Sequence, residues 1–540
     1  MKKSLSWAVV LALLFTLSAG VSSRADDAKE PVSLNLITTL VSDDGAFFST
    51  PVYEEFVRQS GIRLTSTYVD NTKMDLLIAG GDTTDLLCTS YSQYYRTMAE
   101  SGTIIRLNDL IEQYGVNLKS EEKEVMYAIL KGTYDDGADG VYGVINSIGM
   151  QGGNAKVTNH GYLINWAYYA ELGYPQVKDF GDFLDVLEQI MKAHPTTDSG
   201  APIYGIGFFN ENGVTSFLGN FVCKGYRQYN SNIYTSYKDN ALCYAFLDEE
   251  GPYWQAAKYY NDAWNRGIID PDAFTQTSAD HAAKMENGQY LNWWYGGGNE
   301  ALEALPIEGT YMQENLFDIG ANVIAIASTC SDPVAAIGLL EYLHGTQAGR
   351  LIYSGVEGLH WTAGEGGAVL TPETVALKKA GGDPWKATGV SNATLYSLVG
   401  VARGVPAADG ANTDLFRTPA FFMAGLTDTD KAFIEHYGRE DGTAYEYPNQ
   451  VLYARGVKDG YELCSPITKS YGSAPEDIAR LDATLLEIAV NAIPRLVMAA
   501  PGDYEGVKAQ VQREFADAGI QESYAYWQGR WQELADQYLN

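Results

Sequence analysis

The chain has 540 residues, 37 Lys+Arg against 68 Asp+Glu, and a formal net charge of −31. So acidic a chain is a poor partner for nucleic acid and is repelled by anionic lipid, while 46% hydrophobic residues without low-complexity tracts argue against disorder. Five cysteines are too few for a disulfide scaffold, and neither their spacing nor that of six scattered histidines suits zinc.

In chain order, residues 1–25 carry the marks of an export signal. Lys2 and Lys3 precede the apolar run Leu5 to Leu17, and Ser23-Arg24-Ala25 is a small-x-small cleavage site. The run of 13 residues is short for a bilayer span. Val21 stands where a lipidated cysteine would sit after Leu17-Ser18-Ala19-Gly20, so a free periplasmic or extracellular protein is expected, without a lipid anchor or membrane insertion. Loss of the leader removes three basic residues, leaving 34 Lys+Arg against the same 68 acids. The mature length suggests two to four domains, expected as a monomer.

Val32 to Thr39 is a run of strand formers, followed by the loop Ser42-Asp43-Asp44-Gly45 and a helix from Thr50 to Ser60 closed by Gly61. Ile62 to Val69 predicts a second strand, Lys73 to Ala79 a helix ending at Gly80-Gly81, and Asp85 to Cys88 a third strand. Strand–helix–strand alternation with short links implies parallel pairing in an α/β layer architecture. Asp179 to Ala193 is an amphipathic helix. Cys223 and Cys243 flank a tyrosine-rich stretch, Gly225 to Tyr244, that reads as a hairpin; the two either bridge or pack as separate buried thiols. From Tyr253, the apolar positions Trp254, Ala257, Tyr260, Ala263 and Trp264 recur at helical spacing, Gly267 ends the helix and Pro271 blocks its continuation. Trp254 and Trp264 therefore belong to a core. Asp332 followed by Pro333 predicts a capped helix start. Residues 365–470 show glycine-rich loops and little periodicity, and Ala474 to Asn540 alternates long helical patterns.

Several of these stretches, in this order, resemble the extracellular solute-binding proteins of carbohydrate ABC transporters, especially the large oligosaccharide-type members. The helix followed by Gly267-Ile-Ile-Asp-Pro-Asp-Ala-Phe274 carries the resemblance, with Gly61 to Asp70, Lys73 to Leu87 and Met98 to Leu118. Asp139 to Val144, Tyr162 to Pro175, Ala321 to Leu343 and Gly355 to Trp361 extend it. The chain departs from the family pattern at Thr84, usually proline, and at Ala167, often aspartate.

The resemblance implies a type II-like, two-lobed periplasmic-binding-protein fold with crossing hinge segments and an extended helical C-terminal part. Crossings are expected near 148–155, 315–320 and 357–362. The first lobe then holds 26–150 and 318–358, the second 151–317 and 359–540. It also implies capture of a sugar by hinge closure and delivery to ABC transporter permease subunits, with no cofactor and no catalysis.

The 38 Tyr, 10 Trp and 18 Phe suit such a ligand, because pyranose C–H faces stack on aromatic rings while polar side chains bind the hydroxyls. Trp293 and Trp294, adjacent on a strand, point to opposite faces, so at most one enters a given cleft; the other reading is core packing. Trp361 and Glu357 lie at the expected third crossing, and Asn165 and Trp166 at a helix start in the second lobe. Asp44, Ser90 and Tyr91 follow first-lobe strands, where ligands bind open α/β sheets. The loop from His194 to Ile203 holds only Asp198 as a carboxylate, too few oxygens for calcium, so no metal is expected there. A secreted glycosidase or lyase is the alternative, though no nucleophile elbow or zinc motif is present. An oligopeptide-binding protein shares the two-lobe plan.

Overall fold

A computed structural model describes residues 30–41, 45–150, 162–209, 213–222, 225–293, 301–312, 317–459, 467, 471–472 and 474–539. The leader, Asp43, Asp44, Trp294 and Cys223 lie outside the described residues.

The first lobe is built on a five-stranded sheet. Its strands are β1 (Val32–Thr38), β2 (Ile62–Tyr68), β3 (Leu86–Ser90), β4 (Val144–Ile145) and a late strand, Asn322–Ile326. The order is β2-β1-β3-late strand-β4. β1 runs parallel to β2 and β3, with Val32 opposite Ile62 and Leu36 opposite Leu86. The late strand is antiparallel to β3, setting Asn322 against Ser90. Central β3 is covered on both faces and reads as a continuous buried run, Leu86-Leu87-Cys88-Thr89, whereas β1 alternates around buried Leu34 and Leu36. The helix Pro51–Ser60 begins as its residues dictate: Thr50 accepts from Tyr53 N, Pro51 occupies the first turn, and Gly61 (φ 69°) closes the end.

Two hydrophobic cores divide the chain. The first takes residues between Leu34 and Ile148, resumes at Ile319 and continues through Tyr353, Val399, Val401 and Phe416. The second runs from Tyr162 to Ile307 and from Phe433 to Leu534. Between the cores, β5 (Gly149–Met150) pairs antiparallel with Phe317–Asp318, so two crossing segments brace each other.

The resemblance implied a third crossing near 357–362, and here the structure differs. Residues 390–416 pack into the first core, and the chain changes core between Phe421 and Leu426. Buried polar bonds hold this segment down: Tyr353 donates to Val401 O at 2.9 Å and Ser354 to Thr413 O at 2.8 Å. Arg350 meets Asp409 with both terminal nitrogens. The stretch that lacked periodicity contains short helices such as Pro372–Ala380, Ala393–Leu398 and Asp428–Tyr437.

The second core centres on the helix Pro252–Asn265, whose Tyr253, Trp254, Ala257 and Tyr260 are buried; Trp264 packs at its edge. Asn261 on this helix donates to Leu496 O, Val497 O and Ala499 O, satisfying carbonyls left over at the end of the helix Glu476–Val497. The stretch read as a hairpin is a three-stranded antiparallel meander, Tyr226–Gln228, Ile233–Ser236 and Leu242–Tyr244. Cys243 is a buried free thiol, 3.6 Å from Asp248 Oδ2.

Candidate functional site

The carboxyl ends of parallel strands are where helix N-termini and loops converge, so a ligand cleft forms there. In the first lobe, Ser90 closes β3 and leads into the helix Tyr91–Glu100. Its hydroxyl lies 3.1 Å from that of Ser92, and Tyr91 N donates to Ala321 O at 3.1 Å. Both side chains stay half-buried at the sheet edge. Thr89, just behind, is fully buried and its hydroxyl has no partner.

Beyond β1 a cavity of about 710 Å3 opens beside Val41, Phe47 and Thr50, and Trp385 lines its far wall. Lys378 Nζ sits 4.7 Å over the Trp385 ring and Phe416 packs edge-on at 5.6 Å. Sequence reasoning passed over Trp385; an isolated tryptophan after Gly381-Gly382-Asp383-Pro384 was the available signal.

In the second lobe, Tyr204–Ile206 and Tyr290–Asn292 run parallel. Phe209 and Trp293 emerge from their carboxyl ends, half-buried, with ring centroids 6.1 Å apart. His281 is wedged beneath them, 4.2 Å from Trp293 and stacked on Tyr290 at 4.8 Å. Burial drops the His281 imidazole to about 4, so it is neutral at pH 7, and its Nε2 has no partner among the described residues. The support beneath is polar and closed: Tyr290 donates to buried Asp270 at 2.6 Å and Lys284 pairs with the same carboxylate at 2.7 Å. Burial, then the bond to Asp270, pushes the Tyr290 phenol far up, so it remains a donor.

The two lobes also approach one another elsewhere. Burial pushes the Tyr229 phenol up, and the Tyr91 phenol of the first lobe adds to the rise. Tyr229 donates to Gly472 O, and Gly472 (φ 72°) lies so close to Gly132 of the helix Glu124–Thr133 that a Cβ would stand 2.6 Å from Gly132 O. Burial raises Tyr526, while Arg530 and, from the first-lobe helix, Arg96 lower it. Tyr229, Phe209 and Gly472 had no distinguishing sequence pattern.

Of the expected site residues, Ser90, Tyr91 and Trp293 stand at the carboxyl ends of strands. Trp166 does not: it is 2% exposed and enclosed by Tyr169, Tyr174, Phe433 and His436. Asn165 caps the helix that Trp166 begins, accepting from Tyr168 N at 3.2 Å. Trp361 and Glu357 are also displaced. They share a cavity with Arg58 and Gln59, at the end of the helix that returns to the amino end of β2, on the opposite side from Ser90. Among the described residues no group of His, Cys, Asp and Glu is arranged to hold a metal, and no helix is long and apolar enough to cross a membrane.

Comparison with protein-family models finds no match, and neither does comparison with curated proteins. Solved structures do match. The *Streptococcus pneumoniae* ABC-transporter substrate-binding protein FusA, in complex with kestose, aligns at a TM-score of 0.61 and 16% identity, covering 94% of this chain and 100% of that one. The alginate-binding protein AlgQ2 without calcium ion gives 0.58 and 14%, covering 93% and 98%. An HMO-binding, ABC-transporter-associated solute-binding protein from Bifidobacterium longum infantis gives 0.58 and 14%, covering 93% and 99%. The chain has the two-lobed α/β fold of solute-binding proteins along nearly its whole length.

Proposed function

We propose that this chain is the exported substrate-binding component of an ABC importer, capturing a sugar, in particular an oligosaccharide, between its lobes and releasing it unaltered. The observation that carries this reading is the two-lobed fold shared with solute-binding proteins, with Trp293 and Phe209 at strand ends of one lobe and Ser90 and Tyr91 at a strand end of the other. Matching structures are named as binding alginate, kestose and HMO, which supports a saccharide ligand. Rings stack on C–H faces at about 1 kcal/mol or more each, by analogy with bases on aromatics.

The lobes in this reading are residues 30–148 with 319–421, and 162–307 with 426–539. Closure proceeds by bending at the crossing segments, and the closed form docks as a monomer on permease subunits. Asp44 and Trp294 remain proposed wall residues, from the loop after β1 and the strand end beside Trp293. No covalent step, cofactor or metal is required.

The test is titration of the purified mature protein with a panel of neutral and acidic oligosaccharides, followed by tryptophan fluorescence and thermal shift, with chromatography of the recovered sugar. Binding with intact sugar is expected. Cleaved product, or no response to any sugar, refutes the reading.

A further inference from the structure

The cavity that took Trp361 and Glu357 away from the cleft has a chemistry of its own. It measures about 780 Å3, within the range of small-molecule sites, and every described lining residue belongs to first-lobe segments. Its Trp361 ring is held by two contacts. The indole Nε1 donates to Gly355 O at 2.8 Å, and the Arg350 guanidinium lies 5.1 Å from the ring centroid. Arg350 is itself anchored by Asp409 at 3.0 and 2.9 Å. A ring so fixed loses no freedom when a ligand settles on it.

Arg350 closes this wall: it is 5% exposed and its terminal nitrogens are taken by Asp409 and by Ala411 O. Glu357 is exposed and has no counter-ion among the described residues. The other charges are matched, Arg58 with Glu55 at 2.7 Å and Arg350 with Asp409. Gln347 and Gln59 add amides, and Leu351 and Val356 add apolar surface.

An anion is opposed by Glu357 and finds both arginines already paired, and a simple cation makes no use of the amides or the indole. A polyol ring meets Glu357, Gln59 and Gln347 with hydroxyls that donate and accept, while its C–H face meets the indole. We propose that this cavity is a second carbohydrate site, separate from the interlobe cleft, which takes a neutral mono- or disaccharide unit. It stands independently of the transport reading.

The experiment is calorimetric and saturation-transfer NMR titration of the full mature chain with maltose, cellobiose, lactose and sucrose, carried well into the millimolar range. The same titrations are run on Trp293→Ala, Trp361→Ala and Glu357→Gln, with putrescine and glucuronate as charged probes. Binding that survives Trp293→Ala, disappears with Trp361→Ala and weakens about tenfold with Glu357→Gln is expected; exposed Glu357 makes the last variant safe for folding. The proposal is overturned if every sugar signal vanishes with Trp293→Ala, if binding survives both cavity substitutions, or if the cavity takes putrescine or glucuronate in preference to sugars. Loss of cleft binding with cavity binding intact sinks only the transport reading.

Discussion

Two backbones approach at Gly132 and Gly472, one from each core, and a single methyl group tests whether this contact belongs to the ligand-closed state. In Gly472→Ala the new Cβ would stand 2.6 Å from Gly132 O, closer than Cβ atoms approach a backbone oxygen. The lobes must part by roughly 0.5 Å or more to restore van der Waals distance, and tight packing transmits the displacement along the cleft. A second cost, about 1–2 kcal/mol, arises because Gly472 holds φ at 72°, a left-handed conformation that a Cβ disfavours. That strain is the same in open and closed forms and lowers only the melting temperature of the free protein. A clash confined to the ligand-closed form lowers affinity as well. A closed-state penalty of about 1–2 kcal/mol weakens ligand binding about 5- to 30-fold. Calorimetry of wild type and variant against the best ligand from the panel measures the affinity, and thermal unfolding of the ligand-free proteins measures the strain. Unchanged affinity alongside a lowered melting temperature refutes the idea that this contact belongs to the ligand-closed state.

The two tryptophans that looked alike in sequence separate cleanly by experiment. Trp293→Ala is expected to weaken sugar binding about tenfold with little loss of stability, whereas Trp166→Ala costs about 3–5 kcal/mol of stability in denaturant titrations by opening a cavity in the second core. Asn261→Ala leaves buried helix-end carbonyls bare and lowers unfolding free energy by about 1–3 kcal/mol, without changing ligand affinity. His281 and His360 are both pulled down to about 4 by burial, below the ordinary value of 6.5. The unfolded chain therefore binds more protons between these values, and stability, complete above pH 6.5, is lost on acidification by about 1.4 kcal/mol per pH unit for each. Melting curves from pH 7 to 4 check this, and His281→Phe should flatten part of the slope. The Asp409 carboxyl is held down to about 2, first by its bonds to Arg350, so its contribution persists to lower pH and fades only below the ordinary carboxylate range.

What the sequence determined by itself is local. Asp332 caps its helix as the sequence predicts, helices start at Thr50 and Asp179 as read, with both side chains capping, and Gly61 and Gly81 end helices in left-handed conformations. The alternation of strand and helix up to Cys88 fixed the parallel sheet, and the apolar face from Trp254 to Ala263 fixed a core helix. These outcomes depend on neighbours a few residues apart. The resemblance supplied the two lobes.

Tertiary structure alone decided where aromatic rings go. Trp166 and Trp293 both stand at strand ends, but only Trp166 is closed over by a helix from residues 428–437, remote in sequence. Trp361 follows a family-like motif, yet Arg350 and Asp409 hold its surroundings against the first lobe, on the far side of the sheet from Ser90. The third crossing moved for the same reason: bonds from Tyr353 and Ser354 to partners 48 and 59 residues onward outweigh anything the intervening glycine-rich stretch announces. Burial is a sum over contacts from the whole chain, and no local pattern contains it.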